Sequence, residues 1–158
     1  MIGEVVAIYV AAKAGGLLEP VEVAKLVSGK GIAGDRYFRR QGTFSEQLEG
    51  TADWEVTLIE LEEILSYNEA QGTNWGAGDF RRNIVTRGVR LNNLVGKRFS
   101  LGASTLEGLR LCEPCAYLGS HLGPEIVRGM VHRAGLRARV VEEGDIRPGD
   151  GIDLASPQ

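Results

Sequence analysis

Short apolar segments separated by glycines constrain the fold of this chain more than any other feature. The 158 residues include 22 glycines, and several of the segments are rich in Val and Ile. Such segments, bounded by turn-forming residues, are typical of β-strands. We predict strands at 2–11, 20–27, 54–60, 104–111, 136–143 and 151–154. Many short strands with few helices favour a mainly β fold, a barrel or a sandwich, in one domain over residues 1–158.

Two segments show the spacing of helices instead. Leu61, Ile64 and Leu65 stand at positions i, i+3 and i+4, which predicts an amphipathic helix that ends at Gly72. A second, short helix is predicted within 123–135, with a proline in its first turn and a glycine past its end. The expected fold is therefore mainly β with a few short helices.

Charge is distributed unevenly along the chain. Residues 41–80 hold nine acidic side chains and no Lys or Arg, whereas residues 81–98 hold six basic side chains and no acidic one. Such asymmetry indicates an anion site on one surface, unless folding mixes the two blocks. Arginine outnumbers lysine fourteen to four, and guanidinium binds phosphate and carboxylate in two-pronged fashion.

The ends and the apolar runs of the sequence bear on location and partners. No apolar run approaches the ~18 residues of a membrane span, and the first residues do not have the pattern of a signal peptide. We therefore expect a cytoplasmic protein with no membrane and no nucleic-acid partner. The oligomeric state does not follow from the sequence.

A glycine-rich segment, "GKGIAG" at 29–34, matches the G-x-G-x-x-G pattern of dinucleotide-binding proteins. That site requires a helix opening at the last glycine within a βαβ unit. The surrounding sequence has no βαβ pattern, so we interpret these glycines as residues that permit positive φ in a tight loop. The loop leads into Asp35 and Arg36, which either brace it as an ion pair or present the guanidinium to a phosphate.

Both cysteines lie in "CEPC", residues 112–115. A redox C-x-x-C pair needs its first cysteine at a helix N-terminus in a βαβ setting, and this pair follows an expected strand. A zinc site would need both histidines as well, but His121 and His132 have ten residues between them, too many for the usual spacing. Two cysteines also form no disulfide framework. We therefore expect Cys115 to act as a thiol.

Five segments, taken in order, resemble one family. They are "GIAGDR" (31–36), "VTLIE" (56–60), "RRNIVTRGVRLNNLVGKRF" (81–99), "EPCAYL" (113–118) and "HRAGLRARVVEEGDIRPGD" (132–150). The family is the MOSC family, which is named for the C-terminal domain of molybdenum cofactor sulfurase and is associated with pyridoxal phosphate. The resemblance covers nearly the whole chain. It implies a β-barrel-like fold, similar to the β-barrel of pyruvate kinase, in a small stand-alone member without the N-terminal β-barrel domain of larger ones.

The resemblance also implies roles for particular residues. Cys115 is the working residue, which carries sulfur as a persulfide or ligates molybdenum when the pterin cofactor, molybdopterin, is bound. A soft thiolate suits both roles, and nearby arginines favour the thiolate form of a cysteine. The implied cofactor-binding residues are Asp35, Arg36, Arg81, Asn83 and Arg133. Of these, Arg81 suits the phosphate and Asn83 the polar edges of the pterin, with Arg82 as the alternative to Arg81.

Two residues differ from the pattern of the family. Tyr37 follows the G-D-R motif where the family often has histidine, and Cys112 is an additional thiol beside the working one. Because Tyr37 stands in place of that histidine, this chain lacks the residue to which the family's proton transfer is assigned. Cys112 either resolves a persulfide by attack or is an inert small apolar side chain.

Three functions remain open at this point. The first is a domain that binds the molybdenum cofactor or carries sulfur on Cys115, with a cysteine desulfurase or another sulfur donor as its partner. The second is a molybdenum-dependent reductase of N-hydroxylated compounds, which needs an electron-donor protein, with the acidic stretch Glu46–Glu69 as a docking surface. The third is a non-catalytic redox sensor that oxidises Cys112 and Cys115 to a disulfide.

Overall fold

The structure, a computed structural model, describes residues 1–155, so the predicted domain limit at residue 158 lies outside the described residues. Within residues 1–155 the strands are β1 (Gly3–Val10), β2 (Glu19–Pro20), β3 (Ala24–Val27), β4 (Gly31–Ile32), β5 (Val56–Glu60), β6 (Ile84–Arg87), β7 (Arg98–Leu101), β8 (Ser104–Leu111), β9 (Leu136–Glu142), β10 (Gly144–Ile146) and β11 (Gly151–Leu154). The α-helices are α1 (Leu61–Gln71), α2 (Ala116–Leu122) and α3 (Glu125–Gly129), and short 3₁₀ helices form at Arg36–Arg39 and Leu91–Leu94. None of these helices of the described chain is both long and apolar enough to cross a bilayer.

Seven of the strands described above close into a barrel. Their order around the barrel is β1, β11, β7, β8, β9, β5 and β6, and β6 pairs with β1 again. Strands β5 and β6 are parallel, so the chain must cross over between them, and α1 lies in that crossover. Strands β10, β3 and β4 form a separate small sheet. The predicted mainly β, barrel-like fold with a few short helices is confirmed.

Most of the buried apolar residues form two clusters in the described part of the chain, one inside the barrel and one under the helices. Leu58 and Ile84 belong to the inner cluster, whereas their neighbours Ile59 and Val85 pack with the helices. Both faces of β5 and β6 are therefore buried. This is why their sequences are continuously apolar instead of alternating.

The prediction of one continuous strand at 20–27 was wrong. The segment 20–27 divides into β2, which pairs with β1, and β3, which pairs with β10 and β4. The N–H of Val21 still donates to the carbonyl of Ile8 at 2.9 Å, after which the chain leaves β1 for the small sheet. A local pattern does not show this change of partner.

The long predicted helix is confirmed as α1, which ends at Gly72 with a φ of 67°. Its buried face differs from the expected one, because Ile64 and Tyr67 are buried whereas Leu65 is 57% exposed. The second predicted helix, α3, ends at Gly129, six residues before the expected glycine at 135.

Helix α2 was not predicted. It has seven residues, and Leu118 and Leu122 on one face pack into the cluster under the helices. A helix this short is marginal by itself, so tertiary packing of that face decides whether it forms.

Candidate functional site

An open cavity of about 230 Å³ lies against the outer wall of the barrel. Its wall includes Thr57 of β5, Arg110 of β8 and Arg137 of β9, which are neighbours in the register of three adjacent strands. The residues on either side of Arg137 in β9 are fully buried in the core. Because successive side chains of a strand point to opposite faces, Arg137 points away from the barrel interior and toward the cavity.

Both thiols of the CEPC segment line this cavity. Cys112 follows β8 and is only 2% exposed, and its N–H donates to the carbonyl of Gly135 at 2.8 Å. Cys115 is half-buried and is the residue from which α2 begins. Both cysteines are free thiols in the described chain, so the cavity offers one shielded thiol and one accessible thiol.

Arg81 lines the cavity and carries N–H groups without a partner in the described chain. Its Nη1 donates to the carbonyl of Gly16 at 2.9 Å, but its Nε and Nη2 are buried without a partner among residues 1–155. Burial, with the positive charge of Arg36 as a further cause, lowers the pKa of Arg81 from its ordinary value. An anion in the cavity would supply the missing acceptors and oppose both effects.

Asp35 braces the loop that carries Arg36. Its carboxylate accepts from Arg36 Nη1 at 2.9 Å, from the N–H of Ala11 at 3.1 Å and from the N–H of Tyr37 at 3.3 Å. Arg36 lines the cavity and is 6% exposed, and its Nε finds no acceptor in the part of the chain that is described. Both roles expected for Arg36 are therefore compatible. Its Nη1 forms the ion pair with Asp35 that braces the loop, and its Nε is left for a ligand.

Arg82 has a different task from its neighbour. Its Nε donates to Ala134 O at 2.9 Å, and its Nη2 donates to Cys112 O at 3.1 Å and Glu113 O at 3.4 Å. A further bond runs from Nη1 to Phe80 O at 3.3 Å. Because each nitrogen is bonded to the main chain, Arg82 holds the cysteine segment in place, and Arg81 is the better candidate for binding a ligand.

Asn83 and Arg133, two other predicted cofactor residues, bond to protein groups. Asn83 accepts from the N–H and hydroxyl of Thr57, both at 3.2 Å, and donates to the carbonyl of Tyr9 at 3.1 Å. Arg133 bonds Glu63 and donates to Ser66 Oγ at 3.0 Å, both on α1. Among the described residues that line the cavity, neither of the two is present. The structure brings Arg36, Arg81 and Cys115 together, with Asp35 directly behind Arg36.

Sequence reasoning missed Arg137 as a site residue. Its Nη1 donates to the carbonyl of Asp53 at 3.1 Å, and its Nε is buried without a partner within the described range. The alternation of "LRARV" does place Arg137 and Arg139 on the outer face of β9. Only the strand register shows that Arg137 reaches the cavity, whereas Arg139 bonds Glu107 at 2.8 Å.

The acidic residues beside the cavity are already engaged. Glu113 lines the cavity, but its carboxylate accepts from the main-chain N–H of His132 at 2.6 Å and contacts the ring of that histidine. Asp53 pairs with Arg110. The excess of arginine in the wall therefore leaves the cavity positively charged.

The glycine loop has a structural role in this chain. Residues 29–34 include β4, which pairs with β3 as an antiparallel hairpin. In this segment Gly29, Gly31 and Gly34 have φ of 75°, 94° and 91°. The interpretation as a tight loop that needs positive φ is confirmed. Within residues 1–155, no group of three or more His, Cys, Asp or Glu side chains is placed to hold a metal ion.

Comparisons with known proteins agree with this architecture. The family model of the MOSC domain matches residues 45–153, and no curated protein matches the chain. The solved structure of the YuaD protein from Bacillus subtilis is similar with a TM-score of 0.83 at 18% identity, covering 100% of this chain and 98% of that one.

Two further solved structures are those of YiiM proteins. The one from Geobacillus stearothermophilus has a TM-score of 0.75 at 18% identity and covers 98% of this chain and 75% of that one. The one from Escherichia coli has a TM-score of 0.65 at 20% identity and covers 96% and 71%. At these identities the similarity shows a shared fold.

Proposed function

The chain belongs to the MOSC domain family, and from this membership we propose that it binds the molybdenum cofactor in the cavity beside Cys115. The family is associated with binding of this cofactor. In the proposal, the arginines of the cavity would hold the phosphate of the cofactor, and the Cys115 thiolate would be a ligand to its metal. Whether the protein then acts as an enzyme or as a carrier depends on the reaction of the bound cofactor.

The observation that carries the proposal is a set of buried N–H groups without acceptors. They are Arg36 Nε, Arg81 Nε, Arg81 Nη2 and Arg137 Nε, and no partner for them exists in the described chain. A buried donor left unpaired costs about 1–3 kcal/mol. Several such donors around one cavity favour a ligand with several acceptor oxygens, and a phosphate meets guanidinium groups in suitable geometry.

The donor set suits both ends of the cofactor, because a thiol lies in the same wall as the arginines. A soft thiolate is a good ligand for a soft metal centre. When bound, the cofactor supplies the redox chemistry of its metal. The cavity of about 230 Å³ is smaller than the ~300–1,000 Å³ of pockets that enclose drug-sized ligands. We therefore infer that it encloses part of the cofactor and not all of it.

The residues of the chain itself orient this ligand and restrict water. Asp35 aims Arg36, and Arg82 holds the backbone at Cys112 and Glu113. The ring of Phe44 packs edge-on against Tyr117 in the cavity wall, with centroids 5.8 Å apart. An apolar edge of this kind lowers the local dielectric, which strengthens the attraction between the guanidinium groups and an anion.

Molybdenum content tests the proposal. The wild type, Cys115→Ala and Arg81→Gln are expressed in a host that makes the cofactor, and metal is measured by elemental analysis. We expect molybdenum in the wild type and little in either variant. Arg139→Gln is the matched control, because Arg139 bonds Glu107 away from the cavity, and it should retain the metal. A wild type without molybdenum, or equal loading of all four proteins, would contradict the proposal.

A second candidate function is sulfur carriage on Cys115, favoured by the size of the cavity and by the half-buried position of that thiol. A thiolate in reach of solvent accepts a sulfur atom as a persulfide, and the modification is reversible. A cysteine desulfurase is one candidate donor. The test is the mass of the protein after incubation with such an enzyme and cysteine, where Cys115→Ala must not gain the sulfur that the wild type gains.

The reductase hypothesis retains less of its docking surface. In the stretch Glu46–Glu69, Glu55 and Glu60 are buried, and Glu62 and Glu63 bond Gly88 and Arg133. Fewer carboxylates of this stretch are therefore free to contact a partner than its sequence suggests. Charge reversal at Glu46 and Glu49 without loss of reductase activity would argue against docking there.

A further inference from the structure

The cavity combines a thiol with guanidinium groups in a space that suits a small ligand. Its volume is about 230 Å³, and three arginines that line it carry N–H groups without a partner within the described chain. Arg36 is only 6% exposed. The packing around it therefore holds its Nε, which has no partner within the described chain, in a fixed position. A small oxyanion fits entirely within such a space.

We propose that the cavity binds a small sulfur oxyanion, of which thiosulfate is the simplest, and that Cys115 takes the outer sulfur atom from it. The inference rests on the proposed use of Cys115 and its cavity for sulfur carriage, and it adds the chemical class of the sulfur donor. The donor is then a small anion from solution instead of a protein.

The step balances without any other reactant. The Cys115 thiolate attacks the outer sulfur of thiosulfate, a new S–S bond forms to Cys115 Sγ, and the S–S bond of thiosulfate breaks. The electron pair of the broken bond leaves with sulfite. The products are the Cys115 persulfide anion and sulfite, so that three negative charges enter and three leave.

The arginine wall suits both the bound and the reacting states. Guanidinium groups bind the three terminal oxygens of the donor through charge-assisted hydrogen bonds. Negative charge grows on the sulfite part as the bond breaks, and donors already directed at that position stabilise it without reorganisation. Arg81 and Arg137 are expected to contribute most, because they supply three of the unpaired N–H groups within the described chain.

Release of sulfite tests the inference. The reduced and desalted protein is mixed with sodium thiosulfate, sulfite is measured over a single turnover, and intact mass shows whether one sulfur atom is gained. We expect the wild type to release sulfite in proportion to protein and Cys115→Ser to release none. Arg81→Gln and Arg137→Gln should slow release by about tenfold or more, the loss expected for a hydrogen bond to a charged group.

Arg139→Gln is the matched control, because Arg139 stands two positions from Arg137 on β9 but bonds Glu107. It should release sulfite at the rate of the wild type. Sulfate serves as an unreactive probe of the same site, and it should raise the unfolding temperature of Cys115→Ser but not that of Cys115→Ser combined with Arg81→Gln. This second measurement also shows whether each variant is folded.

The outcomes separate this inference from the cofactor proposal. The inference is overturned if the wild type releases no sulfite, or if Arg81→Gln and Arg137→Gln release it at the rate of the wild type. Either result overturns it even when molybdenum is bound. Loading of Cys115 by a cysteine desulfurase but not by thiosulfate overturns it as well and leaves sulfur carriage intact. Sulfite release by a protein that binds no molybdenum supports the inference and removes the cofactor proposal.

Discussion

The guanidinium of Arg82 donates from Nη2 to the main-chain carbonyl of Cys112 at 3.1 Å, although the two residues stand 30 positions apart in the chain. Through this bond the segment before β6 determines where the segment after β8 carries its two thiols. The other nitrogens of Arg82 bond the carbonyls of Ala134 and Phe80. A single buried side chain therefore joins three segments of the wall behind the cavity.

Replacement of Arg82 by methionine should destabilise the protein strongly. The change leaves several buried carbonyl groups without donors, and the expected loss in the free energy of unfolding is about 3 kcal/mol or more. Urea denaturation measures it. Arg87→Met is the matched control, because Arg87 is an exposed residue that pairs with Glu4 at the surface, and its loss should stay below about 1 kcal/mol. Equal losses would mean that the bonds of Arg82 contribute little.

Two glycines of the same loop should differ in their response to alanine. Gly31 and Gly34 have nearly the same φ, 94° and 91°. A Cβ at Gly31 would lie 2.3 Å from the main-chain oxygen of Glu55, whereas one at Gly34 would have no atom of the described chain within 4 Å beyond its own residue and the two adjoining ones. Gly34→Ala should cost about 1–2 kcal/mol from the backbone alone, and Gly31→Ala clearly more. Urea denaturation of both variants gives the difference, and a difference of zero would argue against the close approach.

The stability of the protein should depend on pH through Glu60. Burial raises the pKa of Glu60 above its ordinary value of 4.5, so the folded state keeps a proton that the unfolded state releases first. The free energy of unfolding must then fall as the pH rises from the ordinary value through the raised one. Glu60→Gln keeps an acceptor for the N–H of Leu91 but cannot titrate, so its stability should fall less over that range. Urea denaturation across the range tests this, and parallel curves would contradict it.

Glu107 is a control of opposite sign. Hydrogen bonding to Arg139 is the main cause that lowers the pKa of Glu107. Its contribution should therefore be present above the ordinary glutamate pKa and be lost as the pH falls through the lowered value. Relative to the wild type, Glu107→Gln should be less stable at neutral pH, and the gap should close in acid.

The two thiols should react with iodoacetamide at very different rates. Cys115 is half-buried and Cys112 is 2% exposed, so we expect Cys115 to be alkylated in the folded protein and Cys112 only after unfolding. Peptide mass analysis of the native and urea-treated protein identifies the labelled residue. Comparable labelling of both thiols in the native protein would show that the cavity opens readily.

The same thiols test the redox sensor hypothesis. Mild oxidation that removes both thiols together, as an intramolecular disulfide, would favour the sensor. Oxidation of Cys115 alone would argue against it, because a disulfide needs Cys112 as its second sulfur. Thiol titration before and after oxidation, with Cys112→Ala as the control, distinguishes the two results.

The sequence by itself determined the elements whose signal is local. Strand β8 and helix α1 were predicted to within a residue, because alternation, helical spacing and a terminal glycine are properties of neighbouring positions. The family resemblance also directed attention to Arg36, Arg81 and Cys115, which the fold brings to one cavity.

Only the tertiary structure decided which arginines keep unpaired donors beside that cavity. Arg81 and Arg82 are adjacent and chemically alike. Arg81 adopts a φ of 61°, and its Nε and Nη2 have no partner within the described chain, whereas Arg82 donates to carbonyls of distant segments. Arg137 reaches the cavity because its strand pairs with β5 and β8 in one register. The partners of a guanidinium are set by the path of the whole chain, and no local pattern contains that information.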